Sequence, residues 1–95
     1  MDLSCKPQYK PDYRLEQLDG ELLLYHPSRT TIMYCNASAH LVWQLCDGQR
    51  TVEEMATLLS AAYEQPLEAM TAELTDILDQ FYRHGAIECP GRKSG

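Results

Sequence analysis

Ninety-five residues make one domain and leave no room for a second core. With 14 Asp and Glu against 8 Lys and Arg, and a formal net charge of −6, the chain lacks the clustered cations that hold nucleic-acid phosphates or an anionic membrane, so neither partner is expected. No apolar run approaches the ~20 residues of a membrane span, and polar Met1 to Pro11 has no signal-peptide core, so a cytoplasmic location is expected.

Residues 1–12 hold Pro7 and Pro11 and read as a flexible N-terminal tail. The folded domain is expected over residues 13–88, with a flexible tail over 89–95. Tyr13 to Leu18 alternates large and polar side chains, as a strand does. Asp19-Gly20 then predicts a two-residue turn into a second strand, Glu21 to Tyr25, because a type I′ turn needs positive φ at both central positions. His26-Pro27-Ser28-Arg29 reads as another turn, and Thr30 to Cys35, rich in β-branched and aromatic residues, as a third strand.

Three helices follow. Asn36 or Ser38 is placed to cap the first, with Ala39, Val42, Trp43 and Cys46 on one face. Asp47-Gly48 stops it. Thr51-Val52-Glu53-Glu54 is a capping box opening the second, whose buried stripe runs from Val52 to Tyr63. Glu64 and Gln65 form a joint, and Pro66 suits the first turn of the third helix. Met70, Leu74, Ile77, Leu78 and Phe81 line that helix up to His84-Gly85, and Ala86-Ile87-Glu88 is a short closing strand or an extended tail. The fold class is therefore α+β: a winged helix-turn-helix-like plan with a three-stranded antiparallel N-terminal sheet followed by three α-helices.

Catalytic constellations are missing. His26, His40 and His84 are scattered, and neither Cys-x-x-Cys nor His-Glu-x-x-His occurs, so no metal site and no cofactor are expected. Cys35 and Cys46 fall inside apolar patterns, where burial raises a thiol pKa, and Cys5 and Cys89 read as incidental thiols. A winged-helix plan invites a DNA-binding reading. The third helix, however, carries Glu68, Glu73, Asp76 and Asp79 against one cation, Arg83, and such a surface repels phosphate.

The run Asn36-Ala37-Ser38-Ala39 with Val42-Trp43, then Cys46-Asp47-Gly48-Gln49-Arg50-Thr51-Val52-Glu53-Glu54, resembles the PqqD family. In that family a strand ending in Leu-Asn leads to a small-residue helix with a Trp or aliphatic anchor, then Asp-Gly-x-x-Thr-Val-x-Glu. Leu18-Asp19-Gly20-Glu21 and Gly85-Ala86-Ile87-Glu88 fit the same pattern, and the resemblance covers Tyr13 to Glu88. One departure is Cys35, where the family usually has Leu. The resemblance implies a non-catalytic peptide chaperone, a RiPP recognition element of the kind that serves PQQ biosynthesis and other peptide pathways. Such a module binds the leader of a ribosomally made precursor peptide and presents it to a modifying enzyme, often a radical SAM protein. In family members the leader adds as a strand to the edge of the third strand and packs against the third helix.

On this chain those positions are Thr31, Ile32, Met33 and Tyr34 for the edge, a segment free of Pro and charge. Leu74, Leu78 and Phe81 are expected to line the groove, with Tyr82 at its rim and Asp76 and Asp79 meeting Lys or Arg of the leader. Charge or Pro at Ile32 or Met33 is expected to weaken binding while sparing the fold. The alternatives are an adaptor that docks on an enzyme without using a groove, a thiol-redox protein using Cys46, and a DNA-binding regulator. The oligomeric state stays open, because a bare strand edge also pairs with a copy of itself.

Overall fold

The computed structural model describes residues 2–19, 21–28 and 32–89. It is an α+β fold in which a three-stranded antiparallel sheet precedes three helices, as the sequence predicts. The sheet consists of β2 (Arg14–Leu18), β3 (Glu21–Tyr25) and β4 (Ile32–Cys35), in the order β2-β3-β4. Asp19 has φ 50°, as the first central position of a type I′ turn requires; Gly20 lies outside the described residues, as do Arg29, Thr30 and Thr31. Pairing sets Leu15 opposite Leu24 and Leu24 opposite Met33, a row that faces the core. The next row, Tyr25 with Ile32 and Leu23 with Tyr34, takes the opposite face, since side chains alternate along a strand.

Helix α1 (Ala37–Leu45) begins where the Asn36 side chain accepts the Ala39 N–H at 2.8 Å. Cys46 closes it, and Gly48 follows with φ 77°. A side chain at position 48 would be strained by that φ and would press within 3.1 Å of Gln8. Helix α2 (Val52–Tyr63) opens on the expected capping box: Thr51 Oγ1 accepts the Glu54 N–H at 3.0 Å, and the Glu54 carboxylate accepts the Thr51 N–H at 2.8 Å. Glu64 ends it in the left-handed conformation, φ 53°. Helix α3 (Leu67–Arg83) starts after Pro66 and buries Met70, Leu74, Leu78 and Phe81. Each large side chain so buried contributes about 1.5–3 kcal/mol.

The segment before Tyr13 departs from the loose tail its polarity suggests. β1 (Gln8–Tyr9) pairs antiparallel with β5 (Ile87–Glu88), joining the two ends of the domain. The Tyr9 N–H donates to the Cys46 carbonyl at 2.8 Å and the Gly48 N–H to the Pro7 carbonyl at 2.9 Å. Further back, Val52 and Glu53 donate their N–H groups to the carbonyls of Cys5 and Leu3, so the leading segment satisfies two of the orphan donors of α2. Pro7 and Cys5 are buried. Backbone hydrogen bonds hold this segment alongside buried Cys5 and Pro7, and hydrophobic patterning does not register such bonds. Cys5 and Cys89 are not incidental thiols: they form a disulfide, with Cα atoms 5.6 Å apart, across a sequence separation of 84. The β1–β5 pairing places them within bridging range.

Candidate functional site

Among the described residues β4 pairs only with β3, so its other edge presents unpaired N–H and C=O groups. The edge is short and its side chains alternate: Met33 points into the core, while Ile32 is 48% and Tyr34 72% exposed. A charge at Met33 would therefore enter the core, whereas one at Ile32 would face outward from the sheet.

Beside the edge lies a hollow of about 200 Å³. One wall is Met33 to Asn36 of β4 and the α1 cap, with Ala39; the other is Glu73, Asp76, Ile77, Gln80 and Phe81 of α3. These α3 positions fall at i, i+3, i+4, i+7 and i+8, one helical face. Of the residues expected to line a groove, Phe81 and Asp76 do so, together with Met33 and Tyr34. Phe81 is 1% exposed and forms the floor. Leu74 and Leu78 are fully buried and do not line this hollow; they pack into the core behind it. Asp79 and Tyr82 project roughly half a turn away from this face, at ~100° per residue, and the hollow is built without them. Ile32 stands on the outer face of the sheet, and Thr31 lies outside the described residues.

Glu73, Ile77 and Gln80 were not anticipated. The apolar stripe of α3 holds their signal, because Ile77 belongs to it and Glu73 and Gln80 border it on the side that turns toward β4. The chemistry of the hollow is acidic above and apolar below: Glu73 and Asp76 sit one turn apart, and Gln80 donates to Asp76 at 3.5 Å. Cys35 lines it as well, half-buried, with its thiol pKa raised by that burial. Cys46 is buried beneath α1 and donates its S–H to the Val42 carbonyl; burial, with Asp47 nearby, pushes its pKa up to about 12. A thiol so protonated is a poor nucleophile, which removes the basis of the redox reading at Cys46. Among the described residues no cluster of three or more His, Cys, Asp or Glu is arranged to hold a metal ion.

A small winged-helix-like α+β domain with the β4 edge open beside an acidic helix defines the class. The model of the family described as coenzyme PQQ synthesis protein D (PqqD) matches residues 21–87, and the chain belongs to that family. None of the curated proteins compared matches it. Among solved structures it is similar to TbiB1, determined in complex with the TbiA(β) leader peptide, at 20% identity and TM-score 0.71, covering 92% of this chain and 99% of that one. It is also similar to the PqqD truncation of Methylobacterium extorquens PqqCD, a functional stand-alone RiPP recognition element, at 23% identity and TM-score 0.69, covering 86% and 87%. At these identities the likeness is one of fold.

Proposed function

We propose that this chain is a non-catalytic chaperone that captures the leader of a ribosomally made precursor peptide by strand addition and presents it to a modifying enzyme, of the radical SAM class. The observation that carries this reading is the open β4 edge running beside the α3 hollow. A guest strand would gain backbone hydrogen bonds from Ile32 to Tyr34 and place alternate side chains over Phe81. Membership of the PqqD family supports the reading, as does TbiB1, a protein of like fold whose structure holds a leader peptide. No described helix is long and apolar enough to cross a membrane.

A second surface favours docking on an enzyme as well. Ile32 and Leu18 are exposed on the outer sheet face, away from the core row and outside the lining of the hollow. A module that hands a peptide to an enzyme needs such a contact separate from its groove.

Calorimetry with the leader of a precursor encoded beside the gene tests the reading. Successive N–H groups along a strand point to opposite sides, so of Ile32→Pro and Met33→Pro one removes an outward donor and the other an inward one. The outward variant should retain its circular dichroism and lose most of its peptide affinity. Full affinity in both folded variants would contradict strand addition.

A further inference from the structure

Next to the β4 hollow lies a second one, of about 320 Å³, between Val42 of α1, Leu59 and Tyr63 of α2, and Met70 and Leu74 of α3, with Ser38 and Gln65 also in its lining. The two hollows share Glu73 and Ile77, so they adjoin end to end along α3 as a trough that Glu73 and Ile77 divide. Its far floor is apolar: Val42, Leu59, Met70 and Leu74 are all buried. Glu73 stands at the junction, exposed, with no cationic partner among the described residues, and Asp76 follows one turn on with only the Gln80 amide beside it. Phe81 and Met70, at the two ends, are eleven residues apart on α3. That is ~16 Å at 1.5 Å per residue, or about five residues of extended chain.

From these features, and resting on the strand-addition reading of β4, we infer that the trough selects an extended basic segment. The guest pairs with β4 over Phe81 and sets a Lys or Arg against Glu73 and Asp76, its aliphatic stem over Ile77. About five residues from the paired portion it drops a large apolar side chain between Val42 and Met70. Three observations support this occupant over an acidic or purely polar one. The carboxylates at the junction have no cation beside them among the described residues, the chain carries a net charge of −6, and buried Val42, Leu59, Met70 and Leu74 floor the far end. A long cationic side chain covers apolar surface with its stem while its head reaches a carboxylate.

The test is to pan phage-displayed random dodecapeptides on the full chain. An enriched peptide is then synthesised and titrated against wild type, a Glu73→Gln/Asp76→Asn double variant, and the Ile32→Pro and Met33→Pro variants. Enriched sequences should share a Lys or Arg and a large apolar residue about five positions from a β-prone run. The double variant should bind about fivefold more weakly at low salt, the size expected for partly exposed pairs, and that difference should shrink at high salt. Glu73 and Asp76 are exposed, so the double variant should fold as wild type does. Should one folded proline variant lose binding while the double variant binds as tightly as wild type and enriched peptides show no basic residue, the basic-segment inference falls and strand addition stands. Should nothing be enriched, or should folded proline variants bind as wild type does, strand addition falls and the inference with it.

Discussion

The ring of Phe81 meets that of Trp43 edge-on, with centroids 5.4 Å apart and planes at 76°. Phe81 thereby joins the core to the floor of the hollow beside β4. Trp43 is in turn stacked by Tyr9 of β1, at 5.2 Å and 26°. A short aromatic row thus runs from the leading segment through α1 to the candidate site.

Truncating this row should show where its weight lies. Phe81→Ala removes a side chain 1% exposed and should cost about 3–5 kcal/mol. Tyr9 is 41% exposed, and Tyr9→Ala should cost only about 1 kcal/mol. Urea titrations followed by the fluorescence of the single Trp check both. Equal losses would contradict the assignment of Phe81 as the anchor.

The Cys5–Cys89 bridge closes nearly the whole chain, and constraining so long a loop in the unfolded state stabilises the fold by about 4 kcal/mol. Thermal melts with and without reductant should differ accordingly, and Cys5→Ser should match the reduced wild type. A reductant-insensitive melt would mean that the strap of β1 and β5 holds without it.

Cys46 gives a pH dependence of defined sign. Its thiol stays protonated in the folded chain up to about 12, whereas the unfolded chain loses that proton near 9. Unfolding then releases a proton, so this group's stabilising effect is complete below pH 9 and is lost as pH rises toward 12. Cys46→Ala should have a flatter stability profile over that window. In the native state at pH 8, Cys46 should also resist alkylation; rapid labelling would revive a reactive thiol.

Thr51→Ala removes the acceptor of the Glu54 N–H and should cost about 1 kcal/mol. The same contacts lower the Glu54 pKa, first through its hydrogen bond to the Thr51 backbone. A carboxylate held down in this way stabilises the fold above its ordinary range and stops doing so as pH falls through the folded value. Acid titration of Glu54→Gln by circular dichroism should show less loss of stability on acidification than wild type, because that variant has no carboxylate to protonate.

Local signals explain what was readable in advance. The positive φ of Asp19, the Asn36 cap and the Thr51–Glu54 box each depend on residues a few positions apart, and each appears where the sequence places it. The sheet order and three helices follow from those stops and starts. The Cys5–Cys89 bridge and the β1–β5 pairing depend on residues 78 or more positions apart, and the pairing is held by backbone groups that every residue carries. The site fell between these cases. Periodicity gives the apolar stripe of α3 but not how the helix is rotated against β4; a turn of one residue exchanges Leu74 and Leu78 for Glu73 and Ile77. Tyr82 and Asp79 were drawn into the expected groove by the same ambiguity.

The most direct test of the account is amide hydrogen exchange on the chain, free and with the leader segment of its precursor. The account predicts that alternate amides of β4, those of one parity among Ile32 to Cys35, become protected when the peptide is bound, while the β2 edge does not change. Tight binding with no added protection anywhere in β4 would contradict it.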